Sequence, residues 1–136
     1  MQSDFDVVIV GASFSGLTLA HHLPSHVRTL VIDVKPAALH MVESTGLITV
    51  RTREEFSEFF PIDTYITNPI TTICVVAPDF QEHFFSTTSE PWIYQTDTRG
   101  LMKHLAETLP GHVTYESSAL LVGVDRAIDG SVQAVD

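Results

Sequence analysis

The chain has 136 residues, 44% hydrophobic and 18% charged, with 7 Lys+Arg against 17 Asp+Glu and a formal net charge of −10. That length and composition fit one globular domain and exclude a disordered chain, while the acidic balance argues against nucleic acid or an anionic membrane as partner. One cysteine, Cys74, rules out an internal disulfide and fits a reducing, cytoplasmic setting. Asp4 and Asp6 precede the first apolar run, so the start does not read as a secretory leader. No run approaches the roughly 18–20 apolar residues of a membrane span.

Phe5 to Val10 is short, apolar and β-branched, the pattern of a strand buried on both faces of a parallel sheet. Gly11 to Gly16 is a small-residue loop, and Leu17 to Leu23 reads as a helix closed by Pro24. Thr29 to Ile32 repeats the buried-strand pattern and ends at Asp33. Strand, glycine turn, helix and strand within residues 1–35 make one βαβ unit, whose crossover is right-handed.

After a connection through Pro36, Ser44-Thr45-Gly46 reads as a turn, and Arg53 to Phe60 as a short helix with Phe56, Phe59 and Phe60 inward. A β-rich insertion of about 62–96 follows. Within it, Ile70 to Ala77 and Glu82 to Ser86 form a hairpin across Pro78-Asp79, and Trp92 to Gln95 forms another strand. Asp97 or Thr98 caps a helix with Leu101, Leu105, Ala106 and Leu109 on one stripe and Pro110-Gly111 as its stop. Val113 to Tyr115 is a strand. Ala119 to Val124 and Val132 to Val135 make a last hairpin across Asp129-Gly130, and the sheet reads as unfinished there.

The chemistry is concentrated in Val7-Val8-Ile9-Val10-Gly11-Ala12-Ser13-Phe14-Ser15-Gly16-Leu17. A strand that ends in a sharp turn and feeds a helix aims free N–H groups at a pyrophosphate. Gly11 supplies the turn, and Gly16 permits close packing of helix on strand. The middle position of the G-x-G-x-x-G pattern is Ser13, the smallest polar substitute for glycine. Asp33 follows Gly11 by 22 residues, near the roughly 20 expected for the acid that accepts from a ribose. A carboxylate there also disfavours the extra phosphate of NADP. The residues thus point to the ADP part of a dinucleotide, held at Gly11, Ser13, Phe14, Ser15, Gly16 and Asp33.

With Asp6 to Gly16 and Val31-Ile32-Asp33, and with Ile93-Tyr94-Gln95-Thr96-Asp97-Thr98-Arg99-Gly100-Leu101 ahead of Gly111-His112-Val113-Thr114-Tyr115, nearly the whole chain resembles FAD-dependent oxidoreductases of the geranylgeranyl reductase type, close to the flavin aromatic monooxygenases. The resemblance implies an α/β fold: a Rossmann-like FAD-binding βαβ with a parallel sheet and a β-rich insertion, truncated before the second half of the flavin site. It implies one FAD/NAD(P)-binding domain over 1–136. It places Arg99 on the flavin side of the cofactor, Ser44, Thr45 and Gly46 near the flavin or its ribityl chain, and Leu121 beside the adenine. Where archaeal reductases of this type carry a cysteine, Ser44 stands nearest. The implied chemistry is prenyl double-bond reduction or NAD(P)H-driven hydroxylation of a small isoprenoid or aromatic substrate. Two other readings stay open: an NAD-binding reductase or dehydrogenase, and a non-catalytic nucleotide-binding or assembly module.

The remaining candidates read as structural. His21 and His22 lack a carboxylate or cysteine at metal spacing, and His40, His83, His104 and His112 are scattered and read as surface or partly buried, so no metal site is expected. Cys74 reads as an inert core thiol, Trp92 and Tyr94 as core, and Glu54, Glu55 and Glu58 as the solvated face of a short helix.

Overall fold

The structure, a computed structural model, describes residues 4–36, 44–126, 128 and 132–135. In chain order it runs β1 (Val7–Val10), α1 (Phe14–His22), β2 (Thr29–Asp33), β3 (Leu47–Thr49), α2 (Val50–Ser57), a 3-10 turn (Ile62–Tyr65), β4 (Ile66–Ile70), β5 (Thr72–Val76), β6 (His83–Thr87), β7 (Ile93–Thr96), α3 (Thr98–Glu107), β8 (Val113–Ser117), β9 (Val124–Arg126) and β10 (Val132–Val135). These divide into two compact units, the first Met1–Met41 with Met102–Asp136, the second Val42–Leu101.

The first unit is built on a parallel sheet of order β1-β2-β8. Val7 pairs with Thr29, and Thr29 in turn with Val113, in continuous register to Asp33 and Ser117. The middle strand is the buried one: Thr29 and Val31 are 0% exposed and Ile32 7%. β1 departs from the expected two-sided burial because it is an edge strand, and Val10 is 57% exposed. α1 packs on β1 and β2 through Gly16, Leu17 and Ala20, all buried. It begins three residues earlier than Leu17 and stops before Pro24, whose ring cannot continue a helix. A buried leucine of this kind contributes about 1.5–3 kcal/mol through removal of apolar surface from water. The last hairpin is antiparallel, but its first strand starts at Val124 and not at Ala119; Asp129 and Gly130 lie outside the described residues.

The second unit holds a sheet of order β3-β7-β4 and the separate two-stranded pair β5-β6. β3 and β4 escape a sequence reading because one is three residues long and the other carries Pro69, which only an edge strand tolerates. β7 is displaced one residue from expectation, to Ile93–Thr96. α2 starts at Val50, not Arg53, because the Thr49 hydroxyl caps it by accepting from the Thr52 N–H at 3.2 Å. Phe60 is buried as expected, Phe56 is half-buried, and Phe59 is exposed. Glu54, Glu55 and Glu58 are solvated.

β5 and β6 pair from Thr72↔Thr87 to Val76↔His83 around a turn in which Phe80 adopts φ +60°. Cys74 sits on this pair and is exposed, so it is not a core thiol. Trp92 is likewise exposed. The apolar neighbours of Cys74 do not bring cover to this hairpin, which is bonded only within itself, and Trp92 stands just ahead of β7, outside that strand.

Candidate functional site

In the first unit, everything converges on the turn between β1 and α1. Gly11 adopts φ +104°, a conformation that strongly favours glycine. Its N–H donates to the Ile32 carbonyl at 2.8 Å, fastening the turn to the end of β2. A Cβ on Gly16 would overlap the Gly11 carbonyl oxygen, so the helix lies against the strand only because that position is bare. Ser13 is the N-cap, yet its side chain makes no capping bond. The first helical bond runs from the Leu17 N–H to the Ser13 carbonyl at 2.9 Å, which leaves the Phe14, Ser15 and Gly16 amides without an intrahelical acceptor. Ser13 and Ser15 are exposed and Phe14 is half-buried. No acidic residue stands in that first turn. The donors and the helix dipole together suit an anion.

Asp33 lies at the end of the adjacent strand. Its Oδ2 accepts the Ala12 N–H at 2.7 Å, and its Oδ1 accepts the Lys35 N–H at 2.8 Å. The Asp33 carbonyl accepts the Ala119 N–H at 3.0 Å, and the Lys35 carbonyl the Ser118 N–H at 3.3 Å. The segment leading to half-buried Leu121 is thereby tied to the end of β2. Gly11, Ser13 to Gly16, Asp33 and the approach to Leu121 therefore belong to one unit. Nearby Tyr115 has its phenol pushed up, first by burial and then by the Asp33 charge.

Ser44, Thr45, Gly46 and Arg99 belong to the second unit, where the structure brings them together. Gly46 adopts φ +68°, and a Cβ there would overlap the Thr98 hydroxyl. Its carbonyl accepts from the Thr96 N–H at 2.9 Å and the Thr96 hydroxyl at 3.0 Å, and the Ser44 hydroxyl accepts the Gly46 N–H at 3.2 Å. The turn is stitched to the start of α3. Asp97, not Thr98, caps that helix: its Oδ1 accepts the Gly100 N–H at 3.0 Å. Arg99 is exposed in the first helical turn. Among the described residues it has no carboxylate partner, whereas Arg28, Arg51, Arg53 and Lys103 each pair with one.

Sequence reasoning missed the Ala12 amide as the partner of Asp33 and Thr96 as the residue that holds Gly46. The spacing from Gly11 to Asp33 carries a trace of the first; nothing in the sequence signals the second. Among the described residues no group of His, Cys, Asp or Glu is placed to hold a metal. Among them too, no helix is long and apolar enough to cross a membrane.

No family model and no curated protein matches this sequence. Solved structures do. A geranylgeranyl bacteriochlorophyll reductase-like protein from Thermoplasma acidophilum superimposes with a TM-score of 0.76 at 18% identity, over 96% of this chain and 34% of that one. PqsL from Pseudomonas aeruginosa, named "a probable FAD-dependent monooxygenase", gives 0.70 at 16%, over 96% and 37%. The p-nitrophenol 4-monooxygenase PnpA from Pseudomonas putida DLL-E4 gives 0.69 at 17%, over 95% and 35%. The chain shares the fold of these three proteins. The expected α/β architecture, a βαβ unit with a parallel sheet, is borne out. The chain spans about a third of the length of the structures that it matches.

Proposed function

We propose that these residues are the FAD-binding amino-terminal portion of a flavin-dependent oxidoreductase. One observation carries the reading: an uncapped helix N-terminus on a glycine turn, with an acid at the end of the next strand. The bare Gly16, the unoccupied capping position at Ser13 and the amides of Phe14 to Gly16 fit a pyrophosphate. Each Asp33 oxygen accepts one backbone N–H and retains a lone pair for a ribose hydroxyl. The segment at Leu121 borders the adenine. Ser44 to Gly46 and Arg99 serve the flavin side, Arg99 by meeting an anionic part of the cofactor.

FAD, when bound, supplies the two-electron redox chemistry. The chain's own residues bind and orient it. The reaction is prenyl double-bond reduction or hydroxylation driven by NAD(P)H. PqsL has been crystallised with 2-aminobenzoylacetate, and PnpA is named for p-nitrophenol; both support an aromatic substrate. Lone Cys74 supports a cytoplasmic location.

Titration of FAD and ADP, followed by desalting and absorbance, tests this. Ser13→Gly should bind equally or better, and Ser13→Val markedly worse, because its branched side chain occupies the phosphate position. Unimpaired binding by the valine variant would remove the turn from the site. A colourless protein that binds NAD would favour a dehydrogenase, and a folded protein that binds neither would favour a non-catalytic module. The 136 residues alone should retain FAD weakly and turn over no reductant, since in this reading residues outside them cover the flavin ring.

A further inference from the structure

We infer that Asp33 is a positioning residue for the phosphate turn, and that it acts there in addition to any contact with a ribose. The inference rests on the dinucleotide reading above. β2 grips the turn at two successive amides: Ile32 through its carbonyl on the Gly11 N–H at 2.8 Å, and Asp33 through its carboxylate on the Ala12 N–H at 2.7 Å. Ala12 is 1% exposed, so its amide has no water to turn to once the carboxylate is gone. The next residue, Ser13, opens α1. The direction in which the Phe14, Ser15 and Gly16 amides point is therefore set from the end of β2, through a charge-assisted bond across 21 residues of sequence. The second oxygen is held by the Lys35 N–H at 2.8 Å, which fixes the carboxylate plane. One side chain thus couples two parts of the ligand: removing it disorders the pyrophosphate cradle even for a ligand that has no ribose.

Inorganic pyrophosphate separates this from a ribose contact, because the two roles predict opposite signs. If Asp33 met only the ribose, deleting a carboxylate beside an anion in an already acidic chain would leave pyrophosphate affinity unchanged or raise it. If Asp33 holds the turn, Asp33→Ala should weaken inorganic pyrophosphate about tenfold despite the lost repulsion, the scale of one hydrogen bond to a charged group. Asp33→Asn keeps a carbonyl for the Ala12 amide and should bind pyrophosphate at least as tightly as the wild type, while both variants lose ADP affinity. Calorimetric titration of the full chain with pyrophosphate and with ADP reads all of this. Asp33→Thr, which withdraws the carboxylate but suits a strand, replaces the alanine variant if that fails to fold. Pyrophosphate binding unchanged or tighter in the alanine or threonine variant overturns the inference and leaves the dinucleotide reading standing. Wild-type protein that binds ADP but not pyrophosphate also overturns it. Wild-type protein that binds neither removes the dinucleotide reading, and the inference with it.

Discussion

β2 and β6 are both five-residue strands, and they bury opposite shares of their side chains. Thr29, Val31 and Ile32 of β2 are buried; every residue of β6 is exposed, including Phe84 at 67% and Phe85 at 65%. The composition of the two strands does not explain this, since β6 holds two aromatics and β2 none. The difference lies in their neighbours. β2 has a parallel partner on each edge and α1 packed against it, whereas β6 is bonded to β5 alone. In β5-β6, cross-strand pairs put Val75 with Phe84 on one face and Cys74 with Phe85 on the other, so both faces are apolar and open. A strand's hydrophobicity reports that it wants cover. The rest of the fold decides whether it finds any.

The contrast is most severely tested in the βαβ unit. Leu17, fully buried, should cost about 2–5 kcal/mol on mutation to alanine; the midpoint of urea unfolding measures it, and a loss under 1 kcal/mol would show that α1 is not packed as described. Gly16→Ala comes next, at roughly 1–3 kcal/mol for a forced contact with backbone that cannot swing aside. Its ADP affinity should fall together with its melting temperature. On the exposed hairpin, Phe85→Ser should stay within about 0.5 kcal/mol of wild type. A large loss there, in the same unfolding assay, would mean that β6 is covered after all.

The smallest effect is electrostatic. The Arg53 guanidinium donates to both Asp63 oxygens, at 2.7 and 2.9 Å, and holds that carboxyl below its ordinary value. A depressed carboxyl stabilises the folded state above its unfolded titration range, and the contribution disappears as pH falls through the folded value. Acid should therefore cost the wild type slightly more stability than Asp63→Asn, read as the difference between two pH–melting curves. Parallel curves would show that solvent screens the pair completely, as it does many exposed ones.

The βαβ unit was legible because its devices are local: two glycines and an aspartate at fixed spacing, between runs of β-branched residues. The start of α3, narrowed to Asp97 or Thr98, and the hairpin around Pro78-Asp79 were legible for the same reason. Burial was not. Cys74, Phe59 and Trp92 were expected inside, and each is exposed, because sequence marks which residues are apolar and not which face meets a neighbour. The short strands β3 and β4 were missed, since three residues, or five with a proline, carry no usable period. At the candidate site the bond from Asp33 that shapes the turn runs between a side chain and a main-chain amide. Ala12 and Thr96 have no side-chain signature for such a role.

The insertion of the second unit between β2 and β8 also bears on the order of assembly. Val7 and Thr29 pair across 22 residues, while Thr29 and Val113 pair across 84. Closing the longer loop costs about 1.2 kcal/mol more in chain entropy, by the logarithmic dependence on loop length. Local pairings form before distant ones. The pairing of the first strand with the second, and the Asp33–Ala12 bond beside it, need only the first 33 residues of the chain. The third strand must wait for the whole insertion to be synthesised. During that interval the edge of β2 that β8 will occupy stays unpaired, and translation speed sets how long it does.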